Sequence, residues 1–156
     1  MAVVNLRLEH AFDVALTFGS EQGFGPTPFC ESRAFAPVLA GRVAGPRLMG
    51  EIVAGSGGEW PHLGADGVVS LEGQWLIRAD DGALILMKTA GYWRGPEVNA
   101  KDGWRGDGDG HAQPLLHAAP YFEAPEGAHE WITRMVFVGI GDRRRRDSTL
   151  RVFSVL

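Results

Sequence analysis

Glu59, Glu72 and His117 are the residues best suited to moving protons. A carboxyl group held in an apolar cavity has its pKa raised, which makes it a usable general acid or base near neutral pH. A histidine already titrates there. Two carboxylates held close together would split their pKa values and divide acid and base roles. The competing reading makes Glu59 and Glu72 surface charges or structural caps, and leaves His117 with no chemical task. A second set is aromatic and polar. Trp60, Gln74, Trp75, Arg78, Tyr92, Trp93 and Tyr121 are candidates to line a pocket for a flat, apolar ligand. Trp75 and Trp131 fit ordinary core packing better. Tyr92, Trp93 and Tyr121 sit beside expected loops and suit a pocket.

Other chemistries find little support. His62, His111, His117 and His129 are too scattered for a metal site. Asp107-Gly108-Asp109-Gly110 lacks the downstream glutamate of a calcium loop. There is no P-loop, dinucleotide fingerprint or nucleophile elbow. The expectation is no cofactor and no metal. Cys30 is the only cysteine, so no disulfide forms within the chain, and a packed thiol is the simpler reading.

The elements that must position these residues are strands. Val4, Leu6, Leu8, His10, Phe12, Val14, Leu16 and Phe18 all occupy even positions, with mostly polar residues between them. This period of two predicts a long half-buried strand, or two joined at a bend. Further strands are expected near Arg33–Val43, where Pro37 argues for an edge or bulge, and over Arg47–Ala54, Val68–Ala79, Ala83–Ala90, Trp131–Ile140 and Thr149–Leu156. Asp80-Asp81-Gly82 is the strongest hairpin signal. Residues 93–114 read as a long mobile loop at the barrel mouth. The outcome is one all-β domain over 1–156, a closed antiparallel barrel of about seven to nine strands with little helix. Alternation alone does not say whether Leu71, Gly73, Trp75 and Ile77, or Glu72, Gln74, Leu76 and Arg78, face inward.

Composition agrees. Apolar residues make up 45% and charged residues 22%, a globular balance, and 22 glycines with nine prolines supply many short turns. The net charge of −4 points away from nucleic acid and membrane surfaces. The exception is Arg143-Arg144-Arg145-Arg146, read as a solvated hairpin loop, with a phosphate-binding patch as the other option. No apolar stretch reaches a transmembrane length and no signal peptide is evident, so a cytoplasmic protein is expected.

Several motifs occur in a telling order: Gly45-Pro46-Arg47-Leu48-Met49-Gly50; Gly57-Gly58-Glu59-Trp60; Arg78 to Ile85; Phe122-Glu123; Trp131-Ile132; and Val136-Phe137-Val138-Gly139. Together they resemble the domain-of-unknown-function 3237 family, also called uncharacterised protein family 0311. The resemblance implies a lipocalin-like (calycin) barrel and no established general activity. The chain departs from the family pattern in three places. Glu59 stands in the Gly-Gly-x-Asp-Trp motif where members have Asp. The Asp-x-Arg-Tyr pattern reads Glu72, Gly73, Gln74 and Trp75. Leu116-His117 replaces Phe-Arg. Two family arginine positions are therefore Gln74 and His117, so no anion-binding role is carried over.

The combined expectation is a cofactor-free enzyme of the isomerase, cyclase, lyase or hydratase type. It would act on a small apolar, aromatic or polyketide-like metabolite, with Glu59 or Glu72 moving a proton and His117 as partner. A carrier or sensor for such a ligand, and a structural module with a filled barrel, are the alternatives. A homodimer or higher homo-oligomer is left open.

Overall fold

A computed structural model describes residues 4–94 and 115–156. Its strands are β1 (Leu8–Phe18), β2 (Gln22–Gly23), β3 (Ser32–Ala44), β4 (Gly50–Ile52), β5 (Gly58–Leu63), β6 (Val69–Ala79), β7 (Leu84–Arg94), β8 (Leu115–Glu123), β9 (Phe137–Arg143) and β10 (Asp147–Val155). The only helical element among the described residues is a 3-10 turn at Glu130–Arg134. No helix there is long and apolar enough to cross a membrane.

The sheet runs β1-β10-β9-β8-β7-β6 and returns through β4 and β5 to β3, which pairs again with β1. That last pairing closes an antiparallel barrel and removes its edges. β4 and β5 share one stave, each bridging β3 to β6. The Asp80-Asp81-Gly82 hairpin forms as expected. Gly82 takes a φ of +89°, which a side chain would resist. The Asp81 carboxylate accepts the Ala83 N–H at 3.1 Å.

Alternation decides what is inside, with one interruption. In β1, His10 pairs with Phe153 and Phe12 with Val152, so Ala11 is an extra residue, a β-bulge. Beyond it Phe12, Val14, Leu16 and Phe18 point inward as the pattern predicts. Before it the phase flips: Leu8 and His10 turn outward, while Val4 and Leu6 precede the strand and are exposed. In β6 the odd face, Val69 to Ala79 through Trp75, is the buried one.

Other expectations are corrected. Trp131–Ile140 is not one strand: Trp131 lies in the 3-10 turn, packed on Phe137 and under the Arg47 guanidinium, and β9 starts only at Phe137. The Arg47–Ala54 strand shrinks to β4. Trp93 does not open a loop, because β7 continues through Arg94, where its pairing with Leu115 ends. The rest of the expected loop, 95–114, lies outside the described residues.

Antiparallel order gives the barrel two distinct ends. The connections 45–49, 80–83 and 124–136 lie at one end. Phe12, Phe122, Phe137 and Ile132 fill it, with ring centroids 5.1 to 5.6 Å apart for Phe122 against Phe137 and Phe12. The connections 19–31, 64–68 and 144–146 leave from the other end, here the rim, where β7 also ends and β8 begins. The bulge makes a sharp prediction, since Leu6 and Phe12 share sequence parity. Phe12→Ala should cost about 3–5 kcal/mol in urea unfolding, whereas Leu6→Ala should stay within about 0.5 kcal/mol.

Candidate functional site

Near the rim the apolar interior is interrupted by charge. Glu59 sits on β5 between Ala36 of β3 and Gly73 of β6, with its side chain directed inward and only 2% exposed. Gly73 leaves the space beside it open to the Trp75 ring: a Cβ there would lie 2.5 Å from that ring. Across the interior, the last residue of β9 is Arg143. Its Nε donates to Glu59 Oε1 at 2.6 Å, and its guanidinium lies 3.9 Å above the Phe18 ring. Trp93 fixes the backbone there by donating its indole N–H to the Arg143 carbonyl at 2.9 Å. The result is a buried, charge-assisted pair walled by Phe18, Trp75 and Trp93.

Burial pushes the Glu59 carboxyl above its ordinary range, and the attraction and hydrogen bond of Arg143 oppose that rise without cancelling it. Glu21, half-buried on the rim, is also raised by burial. Arg143 and Arg145 oppose the rise, and the Glu59 charge adds to it. At the centre of the barrel the buried Trp75 indole N–H has no hydrogen-bond partner among the described residues. It is a donor available to an oxygen brought into the interior.

Of the residues singled out from sequence, Glu59, Trp75 and Trp93 come together inside. Glu72, Gln74, Arg78, Tyr92, His117 and Tyr121 lie on the outer face of β6, β7 and β8, separated from Glu59 by the sheet itself. Trp60 is half-buried on that outer side, its ring 4.8 Å from Phe35. Glu59 and Glu72 therefore cannot share one ligand, and His117 cannot reach Glu59.

Arg143 was missed because it stands first in a run of four arginines that reads as one solvated turn. Only 144–146 form the turn; Arg143 is fully buried. Its signal was parity, since Phe137, Gly139, Gly141 and Arg143 continue a single inward face of β9.

These features define a small closed antiparallel β-barrel with an aromatic-walled, charged interior at one end. The chain belongs to the family described as protein of unknown function (DUF3237), whose model matches residues 6–155. It is similar to the UPF0311 protein RPA1785 of Rhodopseudomonas palustris, with 24% identity over 124 residues, 80% of each chain. The crystal structure of that conserved protein of unknown function superposes with a TM-score of 0.85 at 22% identity, covering 99% of this chain and all of the other. A β-barrel-like protein from Acinetobacter baumannii AYE gives 0.81 at 21% identity, with 99% of each chain covered. An enzyme from Penicillium herquei gives 0.69 at 19% identity, covering 97% and 98%. At these identities the likeness is one of fold.

Two measurements probe the pair. Glu59→Ala removes the carboxylate bonded to the buried Arg143 guanidinium and should destabilise by about 3–5 kcal/mol, while Glu59→Gln with Arg143→Met should recover most of that loss. The pH dependence has a definite sign. A raised carboxyl pKa means the folded state holds its proton more tightly, so stability should fall as pH rises from the ordinary glutamate range through the raised value. Urea midpoints across that window should decline with pH in the wild type and decline less in Glu59→Gln, where Glu21 is the raised carboxyl that remains among the described residues.

Proposed function

We propose that the chain is a cofactor-independent acid–base enzyme. Glu59 moves a proton on a small apolar, aromatic or polyketide-like molecule bound in the barrel interior. The observation that carries this reading is the buried Glu59–Arg143 pair, set among aromatic walls near the rim. A filler barrel has no use for such a pair, because apolar side chains of similar volume are often as stabilising or more so. A carboxylate of raised pKa at a dry site is a competent base, and Arg143 beside it stabilises negative charge developing on an enolate-like oxygen. The Trp75 N–H offers a neutral donor to the same oxygen. That the Penicillium herquei relative of the same fold is described as an enzyme supports the direction of the reading.

The steps open to this set are isomerisation, cyclisation and elimination or hydration. Each needs proton transfer and a shaped cavity rather than a redox group. Glu59 takes a proton from carbon alpha to a carbonyl, the carbonyl oxygen gains charge against Arg143 or Trp75, and the proton returns at a new carbon or leaves with an oxygen substituent.

β-Tetralone, a benzo-fused cyclic ketone with acidic benzylic alpha protons, tests the central step without knowledge of the natural substrate. The protein should accelerate alpha hydrogen–deuterium exchange followed by NMR, with a rate that rises with pH through the raised Glu59 pKa. Glu59→Gln should lose about a hundredfold or more of that acceleration. Trp75→Phe should weaken binding of the ketone while leaving the pH profile in place. Saturable binding with no acceleration would instead establish a carrier or sensor.

A further inference from the structure

The polar and aromatic residues that fall outside the barrel are not scattered. Register places them in parallel rows across the strands. Ser70, Tyr92 and His117 are cross-strand partners in one row, and Gln74, Lys88 and Tyr121 in another. Between them runs the row Trp60, Glu72, Ala90 and Ala119, which spans β5 to β8. Its two alanines are small where their neighbours are large, so the middle row is a valley between two ridges. Two adjoining concavities, of about 500 and 420 Å³, share Glu72, Ala90 and Ala119. Tyr92 and Tyr121 stand up on opposite ridges, 61% and 58% exposed, and Trp60 with Glu72 closes one end.

The chemistry of the valley restricts its occupant. Its backbone groups are engaged in the β5–β6–β7–β8 ladders, so an extended peptide gains no main-chain hydrogen bonds by adding a strand. Glu72 repels an anion, and Lys88, which pairs with Glu123 at 3.6 Å, repels a cation. A purely apolar molecule would strip water from Glu72, Gln74 and Lys88 and return no hydrogen bonds. Donors and acceptors are interspersed: the Glu72 carboxylate accepts, the Lys88 ammonium donates, and the Gln74 amide, Ser70 hydroxyl and His117 ring do both. Hydroxyl groups match such a mixture, and tyrosine and tryptophan faces suit flat patches of C–H. Open strand faces on small β-barrels serve oligosaccharides elsewhere.

We propose that this outer valley is a binding site for a short neutral oligosaccharide, walled by Tyr92, Tyr121 and Trp60 and hydrogen-bonded by Glu72, Gln74 and Lys88. It lies on the opposite side of the sheet from Glu59 and does not depend on the chemistry inside.

Titration of isotope-labelled protein with maltopentaose, cellopentaose and chitopentaose, each to millimolar concentration, tests the site by NMR. One of the three should give saturable shifts confined to Trp60, 70–74, 88–92 and 117–121. Ala119→Leu fills the valley from an exposed position and should leave the fold intact while weakening that sugar by about tenfold or more. Glu59→Gln should bind it as the wild type does. The proposal is overturned if none of the sugars gives a saturable response. It is equally overturned by shifts that map to Trp75 and Trp93, by binding that survives Ala119→Leu, or by a face that responds only to protein concentration and so marks contact with a second copy.

Discussion

A carboxylate and a guanidinium buried together inside a barrel impose the constraint on which the rest of the site depends. Removing each ion from water costs several kcal/mol, and their attraction offsets this only when the geometry is good and the remaining polar atoms are met. The local sequence serves that geometry. Gly73 leaves room beside Glu59, Phe18 lies flat beneath the guanidinium, and Trp93 ties down the carbonyl of the arginine's own residue. The raised pKa of Glu59 and the aromatic walls follow from the same burial. One arrangement thus keeps Glu59 from water and makes it hold its proton more tightly than an exposed glutamate would.

Much of the fold was legible in the sequence, because a half-buried strand writes its faces as a period of two. The alternation through Phe12 to Phe18 and through Leu71 to Ile77 named the buried sides up to a choice of sign. Ordered motifs identified the family, and Asp80-Asp81-Gly82 located a hairpin. Where the reading failed, a local event broke the period. The extra residue Ala11 reversed the phase at the start of β1, and a single 3-10 turn displaced Trp131 from the strand expected there.

The site was less legible, for a different reason. Glu59, Trp75 and Trp93 were selected and do meet inside. Glu72 and His117 were grouped with them because chemical type ignores which side of a sheet a residue occupies. Trp60 and Glu59 are adjacent in sequence, yet they face opposite sides of the wall. Arg143 was hidden by composition: among four identical cations, nothing but strand parity distinguishes the one that turns inward.

The aromatic plug of Phe12, Phe122 and Phe137 lies at the end away from the rim. The packed aromatic end and the rim connections therefore draw on separate residues. The segments between β1 and β3, β5 and β6, and β9 and β10 can be exchanged as cassettes while the opposite end stays packed. A scaffold divided in this way lets relatives drift to about one-fifth identity and still superpose along their length. For a protein engineer, the far end is the part to leave alone, and the rim connections are the natural sites for library diversity.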